Sequence, residues 1–295
     1  MQKLIAVVGT NASGKSTLGI ELARHYGGEV VSADSRQVYR GLDLGSGKVT
    51  PAEMQGVPHH LLDVCDPGTF FSVADYQRLA YSAVDGIAER GRIPFLVGGT
   101  GLYVDAVCRG YRLSGVEPDL SYRRELEKKD TPALYRMLLD ASPDTRVDPR
   151  NRNRVMRQLE KLHDGDTLSP ACEARYTVLY LGVTWDRSIL CERIDERLDR
   201  RVRQGLIEEV QGLMDRGVSE DFLYRLGLEY RYISQYLLGR GGTREEMLEE
   251  LSKAIKRFAK RQMTWFRRNP DIRWLDMQGD PAAEAAELAD RFLSQ

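Results

Sequence analysis

The stretch Gly9-Thr10-Asn11-Ala12-Ser13-Gly14-Lys15-Ser16 restricts the possible folds more than any other part of the chain. It reads G-x-x-x-x-G-K-S, follows the apolar run Leu4-Ile5-Ala6-Val7-Val8, and precedes a helical pattern with Leu18, Leu22 and Ala23 on one face. Strand, glycine loop and helix in that order predict the opening of an α/β sheet. The glycines let backbone N–H groups turn inward around an anion, and the helix N-terminus adds the positive end of its dipole. Lys15 supplies a full charge, and the Ser16 hydroxyl can ligate Mg²⁺. The loop is expected to bind a phosphate or diphosphate, with a nucleotide as the default ligand.

The remaining chain is consistent with a parallel sheet. Glu29 to Ala33 predicts a second strand that delivers Asp34-Ser35-Arg36-Gln37 to the rim carrying the loop. Val49 to Gly68 reads as loop, and Phe71 to Arg90 as a helix capped at Ser72. Gly91 to Val97 predicts a buried strand that runs into Gly98-Gly99-Thr100. Many nucleotide hydrolases carry a metal-holding acid at such a strand end, so glycines and a threonine there argue against ordinary NTPase chemistry.

From Leu113 to Ala174 the strand signal gives way to charged helical stretches with turns at Pro118, Pro132, Pro143, Pro149 and Pro170. Tyr176 to Thr184 returns as a strand, Arg187 to Met214 reads as one long amphipathic helix, and Ile272 to Leu275 as a last strand. The expected fold is therefore α/β: a P-loop NTPase-like parallel sheet flanked by helices, with a helical insertion domain. Residues 1–112 and 175–295 would form the core, and 113–174 the insertion.

Net charge is −1, so any nucleic acid must be met by local patches. The helix expected over Lys253 to Arg268 holds seven basic residues and no acid, and Arg146 to Arg157 holds five arginines against Asp148 alone. The scattered Cys65, Cys108, Cys172 and Cys191 predict reduced thiols, and the absence of a leader and of any ~20-residue apolar run predicts a cytoplasmic protein away from membranes. His59-His60 lacks a third ligand at metal spacing and reads as structural or as an RNA contact.

Several segments together resemble the tRNA dimethylallyltransferases (tRNA isopentenylpyrophosphate transferases). They are the phosphate loop, D-S-R-Q-V-Y-R-G-L-D-L-G-S-G-K from Asp34, G-V-P-H-H-L-L-D from Gly56, and G-G-T-G-L-Y from Gly98. R-V-M-R-Q-L-E from Arg154 and A-K-R-Q-M-T-W-F-R-R from Ala259 complete the set. The resemblance implies transfer of a dimethylallyl group from dimethylallyl diphosphate to the N6 amine of the adenosine 3′ of the anticodon (position 37), in tRNAs reading codons that begin with U. It implies Mg²⁺, the tRNA anticodon stem-loop and dimethylallyl diphosphate as cofactor and partners of a monomer.

By the same resemblance Asp34 accepts the amine proton, Thr100 lies near the transferred group, and Arg197 contacts the diphosphate with Arg193 one turn before it. Gly9 through Ser16 cradle that diphosphate. Asp34, Ser35, Arg36, Gln37, Thr100, Asn153, Arg154 and Arg157 would meet tRNA. Each also has a plainer interpretation: a turn residue for Asp34, a tight turn around Thr100, and solvated stripes for the arginines. The chain departs from the family at Thr10-Asn11, usually Pro-Thr, and at Gly227-Leu228-Glu229-Tyr230-Arg231, often G-Y-K/R-E. The phosphate loop alone would equally suit a small-molecule kinase, and the basic patches a non-catalytic RNA-binding module. Prenyl transfer to free AMP or ATP is a further alternative, disfavoured by the basic insertion.

Overall fold

The computed structural model describes residues 1–113, 119–165, 172–240 and 242–295; Pro118 and Pro170 lie outside them. The chain separates into two compact units, Met1–Gly110 with Ala174–Gln295, and Tyr111–Glu173.

The larger unit opens with β1 (Gln2–Val8), α1 (Lys15–His25), β2 (Glu29–Ser32), β3 (His59–His60), α2 (Val73–Glu89), β4 (Pro94–Gly98) and α3 (Gly101–Cys108). The smaller unit contributes α4 (Leu120–Glu127), α5 (Thr131–Ala141) and α6 (Arg152–His163). The larger unit resumes with β5 (Tyr176–Thr184), α7 (Arg187–Arg203), α8 (Leu206–Asp215), α9 (Glu220–Leu226) and α10 (Leu228–Leu237). It ends with α11 (Arg244–Phe266), β6 (Arg273–Asp276) and α12 (Pro281–Ser294).

Among the described residues, six parallel strands form one sheet in the order β3-β2-β4-β1-β5-β6. β1 sits between β4 and β5, with Ile5 opposite Phe95 on one side and Leu179 on the other. Side chains of a strand alternate between faces. Leu4, Ala6 and Val8 therefore enter one layer with α2 and α3, while Ile5 and Val7 enter the other with α1 and α12. A third core gathers α7 to α11 around Ile194, Leu206, Val210, Tyr230 and Leu251. The carboxyl ends of β1, β2, β4 and β5 all open on one rim, where an open α/β sheet binds its ligand.

Local signals set several element ends. Ser72 caps α2 in a reciprocal box with Asp75, as the Ser72 spacing predicts. Pro132 sits in the first turn of α5, where its missing N–H is harmless. The smaller unit has its own core of Leu126, Leu134, Leu138, Val155, Met156 and Leu159.

Four expectations are corrected. The helix expected over Arg187–Met214 is two, α7 and α8, broken at Gln204 and Gly205. Gly205 takes φ 100°, a conformation that costs other residues roughly 1–2 kcal/mol. The i,i+4 apolar spacing carries across this break and hides it. The basic helix expected over Lys253–Arg268 begins at Arg244, where Thr243 and Glu246 form a capping box. The loop region Val49–Gly68 includes the edge strand β3, paired to Val30 and Val31. β4 starts at Pro94, because Gly91 closes the turn after α2. Among the described residues no helix is long and apolar enough to cross a membrane.

Candidate active site

The phosphate loop is braced from three directions. Within it, Thr10 O accepts the Ser13 hydroxyl at 2.8 Å and Lys15 Nζ at 3.2 Å. From the end of β5, Trp185 Nε1 donates to Ser13 O at 2.9 Å, and Arg193 lies 4.4 Å over the Trp185 ring while its Nε donates to Ala12 O at 3.1 Å. From α11, Gln262 accepts the Asn11 N–H at 2.9 Å and donates to Gly99 O at 2.9 Å. The Asn11 side-chain oxygen sits 3.5 Å from Gln262 Nε2. A loop held this way keeps its N–H groups oriented before any ligand arrives, which is the condition for electrostatic preorganisation.

Beside the loop is a cavity of about 610 Å³ lined by Gly14, Lys15, Ser16, Arg193, Arg197 and Arg201, among others. α7 brings these arginines to the cavity at i,i+4 spacing, so they share one face. The opposing wall includes Gly47, which takes φ 66° and packs so closely that a Cβ would collide with the guanidinium groups of Arg197 and Arg201. Arg201 pairs with Glu229 at 3.4 Å, whereas Arg197 has no ion-pair partner among the described residues.

This crowding of positive charge shifts protonation. Burial, then Arg197 and Arg201, push Lys15 down from 10.5 to about 8, with Asp34 pulling the other way. Burial and the neighbouring Arg201 lower Arg197 to about 9, opposed by Glu229 and Asp34. Between about 8 and 10.5 the unfolded chain holds more of the Lys15 proton than the folded one, so stability from this group rises with pH across that window. Below 8 the penalty of the buried charge is present in full.

An anion that binds the protonated amine reverses the preference. The rise in melting temperature produced by inorganic diphosphate should therefore shrink as pH climbs from about 7 to about 9.5. A constant increment across that range would exclude Lys15 as the anion's ligand.

The rim beside this cradle carries the other expected residues. Thr100 stands at the N-cap position of α3 without a side-chain capping bond, and its N–H donates to Ala33 O at 3.1 Å, tying the end of β4 to the end of β2. Its hydroxyl accepts the Ser35 N–H at 3.0 Å. Asp34 Oδ1 accepts the Arg36 N–H at 2.9 Å, a turn that leaves Oδ2 without a hydrogen-bond donor among the described residues. Thr100 ties the β4 end to Ala33, and Gln262 ties Gly99 of that end to Asn11 of the loop, so Asp34 shares the cradle's rim without lining its cavity.

Arg36 and Gln37 turn inward. Arg36 pairs with Glu229 at 3.0 Å and is only 14 % exposed. Gln37 accepts the Ser32 hydroxyl and donates to Gly47 O.

Asn153, Arg154 and Arg157 lie on α6 of the smaller unit. Asn153 and Arg154 are exposed, and Arg157 pairs with Glu160 at 3.2 Å. His59 and His60 serve β3: His60 Nε2 meets Glu29 at 2.6 Å, and His59 Nδ1 meets Val57 O at 2.8 Å. In the basic run of α11, Lys253 pairs with Glu249 and Glu250, and Lys256 with Asp195.

The sequence assigns no role to Gln262, Trp185, Glu209 or Glu229, though Gln262 and Glu229 fall inside the segments quoted from Ala259 and Gly227. Gln262 had a signal, since it occupies the apolar-face register of Ile255, Ala259 and Phe266. Glu209 had none: its carboxylate accepts the N–H groups of Asp43, Leu44 and Gly45, far away in the chain.

Among the described residues no group of three His, Cys, Asp or Glu could hold a metal. The donor set at the cradle, the Ser16 hydroxyl with room for water and phosphate oxygens, nevertheless fits Mg²⁺, which keeps most of its waters.

The family model described as IPP transferase matches residues 37–269. A tRNA dimethylallyltransferase 2 of Shewanella sediminis is 46 % identical, covering 97 % of this chain and 98 % of that protein. A tRNA dimethylallyltransferase of Geobacillus thermodenitrificans is 41 % identical, covering 99 % and 95 %. The crystal structure of the full-length tRNA isopentenylpyrophosphate transferase of Bacillus halodurans aligns with a TM-score of 0.77 at 40 % identity, covering 100 % of this chain and 96 % of its own. Crystallographic snapshots of a eukaryotic dimethylallyltransferase acting on tRNA align with a TM-score of 0.84 at 26 % identity, covering 100 % and 80 %. The chain belongs to the IPP transferase family, whose relatives here are tRNA dimethylallyltransferases.

Proposed function

We propose that the cradle and its rim carry out dimethylallyl transfer from dimethylallyl diphosphate to the N6 amine of the adenosine 3′ of the anticodon, position 37, in tRNAs reading UNN codons. The adenine amine is a weak nucleophile because its lone pair is delocalised into the ring. It needs a good leaving group on one side and a proton acceptor on the other. The observation that carries the proposal is an anion cradle lined by Lys15 and Arg197 on the same sheet rim as the Asp34 carboxylate, the two joined through Thr100 and Gln262.

In this reaction N6 attacks C1 of the allylic donor and the C1–O bond breaks. Diphosphate leaves with the bonding pair, and the amine proton passes to Asp34. The loop N–H groups from Ala12 to Ser16, with Lys15, Arg193 and Arg197, hold the diphosphate and stabilise its developing charge. Mg²⁺, held by Ser16 and diphosphate oxygens, would add charge neutralisation on the same oxygens.

Thr100 fixes Ser35 and the turn that presents Asp34. Ser35 would meet the adenine, while Arg36 and Gln37 support that rim from inside the protein. Asn153, Arg154 and Arg157 would grip the anticodon stem-loop through its phosphates, a contact that weakens with salt. One chain, acting as a monomer in the cytoplasm, would serve one tRNA and one donor.

The test is incubation with Mg²⁺, labelled dimethylallyl diphosphate and unmodified tRNA. Label entering the RNA at the adenosine 3′ of the anticodon is expected. Phosphate transfer from ATP with no label in RNA would overturn the proposal in favour of a kinase. Binding to tRNA without either reaction would leave only an RNA-binding module.

A further inference from the structure

Glu229 on α10 is 2 % exposed, and both of its oxygens are taken by cations. Oε2 meets Arg36 at 3.0 Å and Oε1 meets Arg201 at 3.4 Å. Both guanidiniums are themselves largely buried, at 14 % and 11 % exposure. The two arginines come from opposite sides of the proposed reaction. Arg36 lies two residues after Asp34, and its N–H closes the turn on the Asp34 carboxylate. Arg201 lies one helical turn after Arg197 on α7, and both guanidiniums crowd Gly47.

A buried carboxylate between two guanidiniums is a poor source of stability, because desolvation offsets the attraction and apolar replacements often do as well. What such a triad does supply is fixed geometry and charge balance. We propose that Glu229 is a positioning residue for prenyl transfer, holding the proton-accepting turn and the diphosphate-binding helix in register through Arg36 and Arg201. The inference rests on the roles given above to Asp34 and Arg197. Its electrostatic side is that Glu229 neutralises Arg201, which otherwise adds to the repulsion on Arg197.

The test compares Glu229→Gln, Arg36→Gln and Arg201→Gln with the unaltered enzyme, using labelled dimethylallyl diphosphate, Mg²⁺ and unmodified tRNA. Rates are normalised to folded protein by near-ultraviolet circular dichroism. Arg36→Gln is expected to lower kcat with little change in KM for dimethylallyl diphosphate. Arg201→Gln is expected to raise that KM with a smaller change in kcat. Glu229→Gln should do both, lowering kcat/KM by roughly a hundredfold, the loss expected from ångström-scale misplacement.

A Glu229→Gln protein that melts earlier but keeps unaltered constants per folded molecule would make the triad merely structural and overturn the inference. If that variant does not fold, the two arginine variants decide: both changing the same constant, or neither changing any, overturns it. Failure of the unaltered enzyme to label tRNA would instead overturn the proposed function, and this inference with it.

Discussion

Replacing Asp34 by asparagine is expected to lower kcat for prenyl transfer by a factor of roughly 10²–10⁴, the usual contribution of a positioned acid or base. The substitution is nearly isosteric. The side-chain oxygen of asparagine can still accept the Arg36 N–H that Asp34 Oδ1 accepts now, so the turn survives. Thr100, Ser35 and the strand ends are untouched, and tRNA should bind with its original affinity. What disappears is the carboxylate lone pair proposed to take the proton from the amine. Removing the charge also affects Lys15 and Arg197, because Asp34 favours the protonated form of both. That second effect acts on the donor side and should raise KM for the diphosphate only modestly. Steady-state kinetics with each substrate varied, together with filter binding of tRNA, separates the two. Unchanged kcat with lost tRNA binding would make Asp34 a recognition residue.

The parts of the fold legible in the sequence are those decided locally. The phosphate loop needs its glycines and Lys15 at fixed spacing, and α2 announces itself by Ser72 and the burial of Tyr76, Ala80, Val84 and Ile87. β5 spans the predicted Tyr176–Thr184 because a strand in the middle of a parallel sheet reads as a continuous apolar run. The break at Gly205 was hidden because Leu206 continues the spacing of Ile194 and Leu198 while belonging to another helix. β3 is two residues long, too short to produce any period.

The site divides along the same line. Lys15 and Ser16 follow from one motif, and Asp34 from a strand end. The clamp of Gln262 on Asn11 and Gly99 joins segments some 251 and 163 residues apart, and no pattern within a helix specifies that partner. Arg36 shows the converse. A basic residue beside a reactive rim suggests an RNA contact, yet the buried Glu229, invisible from position 36, draws it inward.

Arg197→Met is the second substitution with a large expected effect, because here activity and stability should move in opposite directions. Arg197 sits in the cavity with Lys15, Arg193 and Arg201, and has no ion-pair partner among the described residues. Burial and Arg201 already work against its charge, lowering it to about 9. Methionine removes that repulsion and keeps the apolar stem, so the melting temperature without ligand should hold or rise. Its absence is felt once a diphosphate is present. A guanidinium offers planar paired donors to phosphate oxygens, and losing one preorganised donor for developing charge costs roughly 10²–10³ in rate. We therefore expect kcat/KM for dimethylallyl diphosphate to fall by that factor. Arg197→Lys should recover only part of it, since an ammonium is a point charge without the fork. The stabilisation by added diphosphate should fall in parallel, because it reads the same contact. Thermal melts with and without diphosphate, beside steady-state kinetics, test the whole pattern. A variant that melts earlier yet retains kcat/KM would mean that Arg197 supports α7 and never meets the donor.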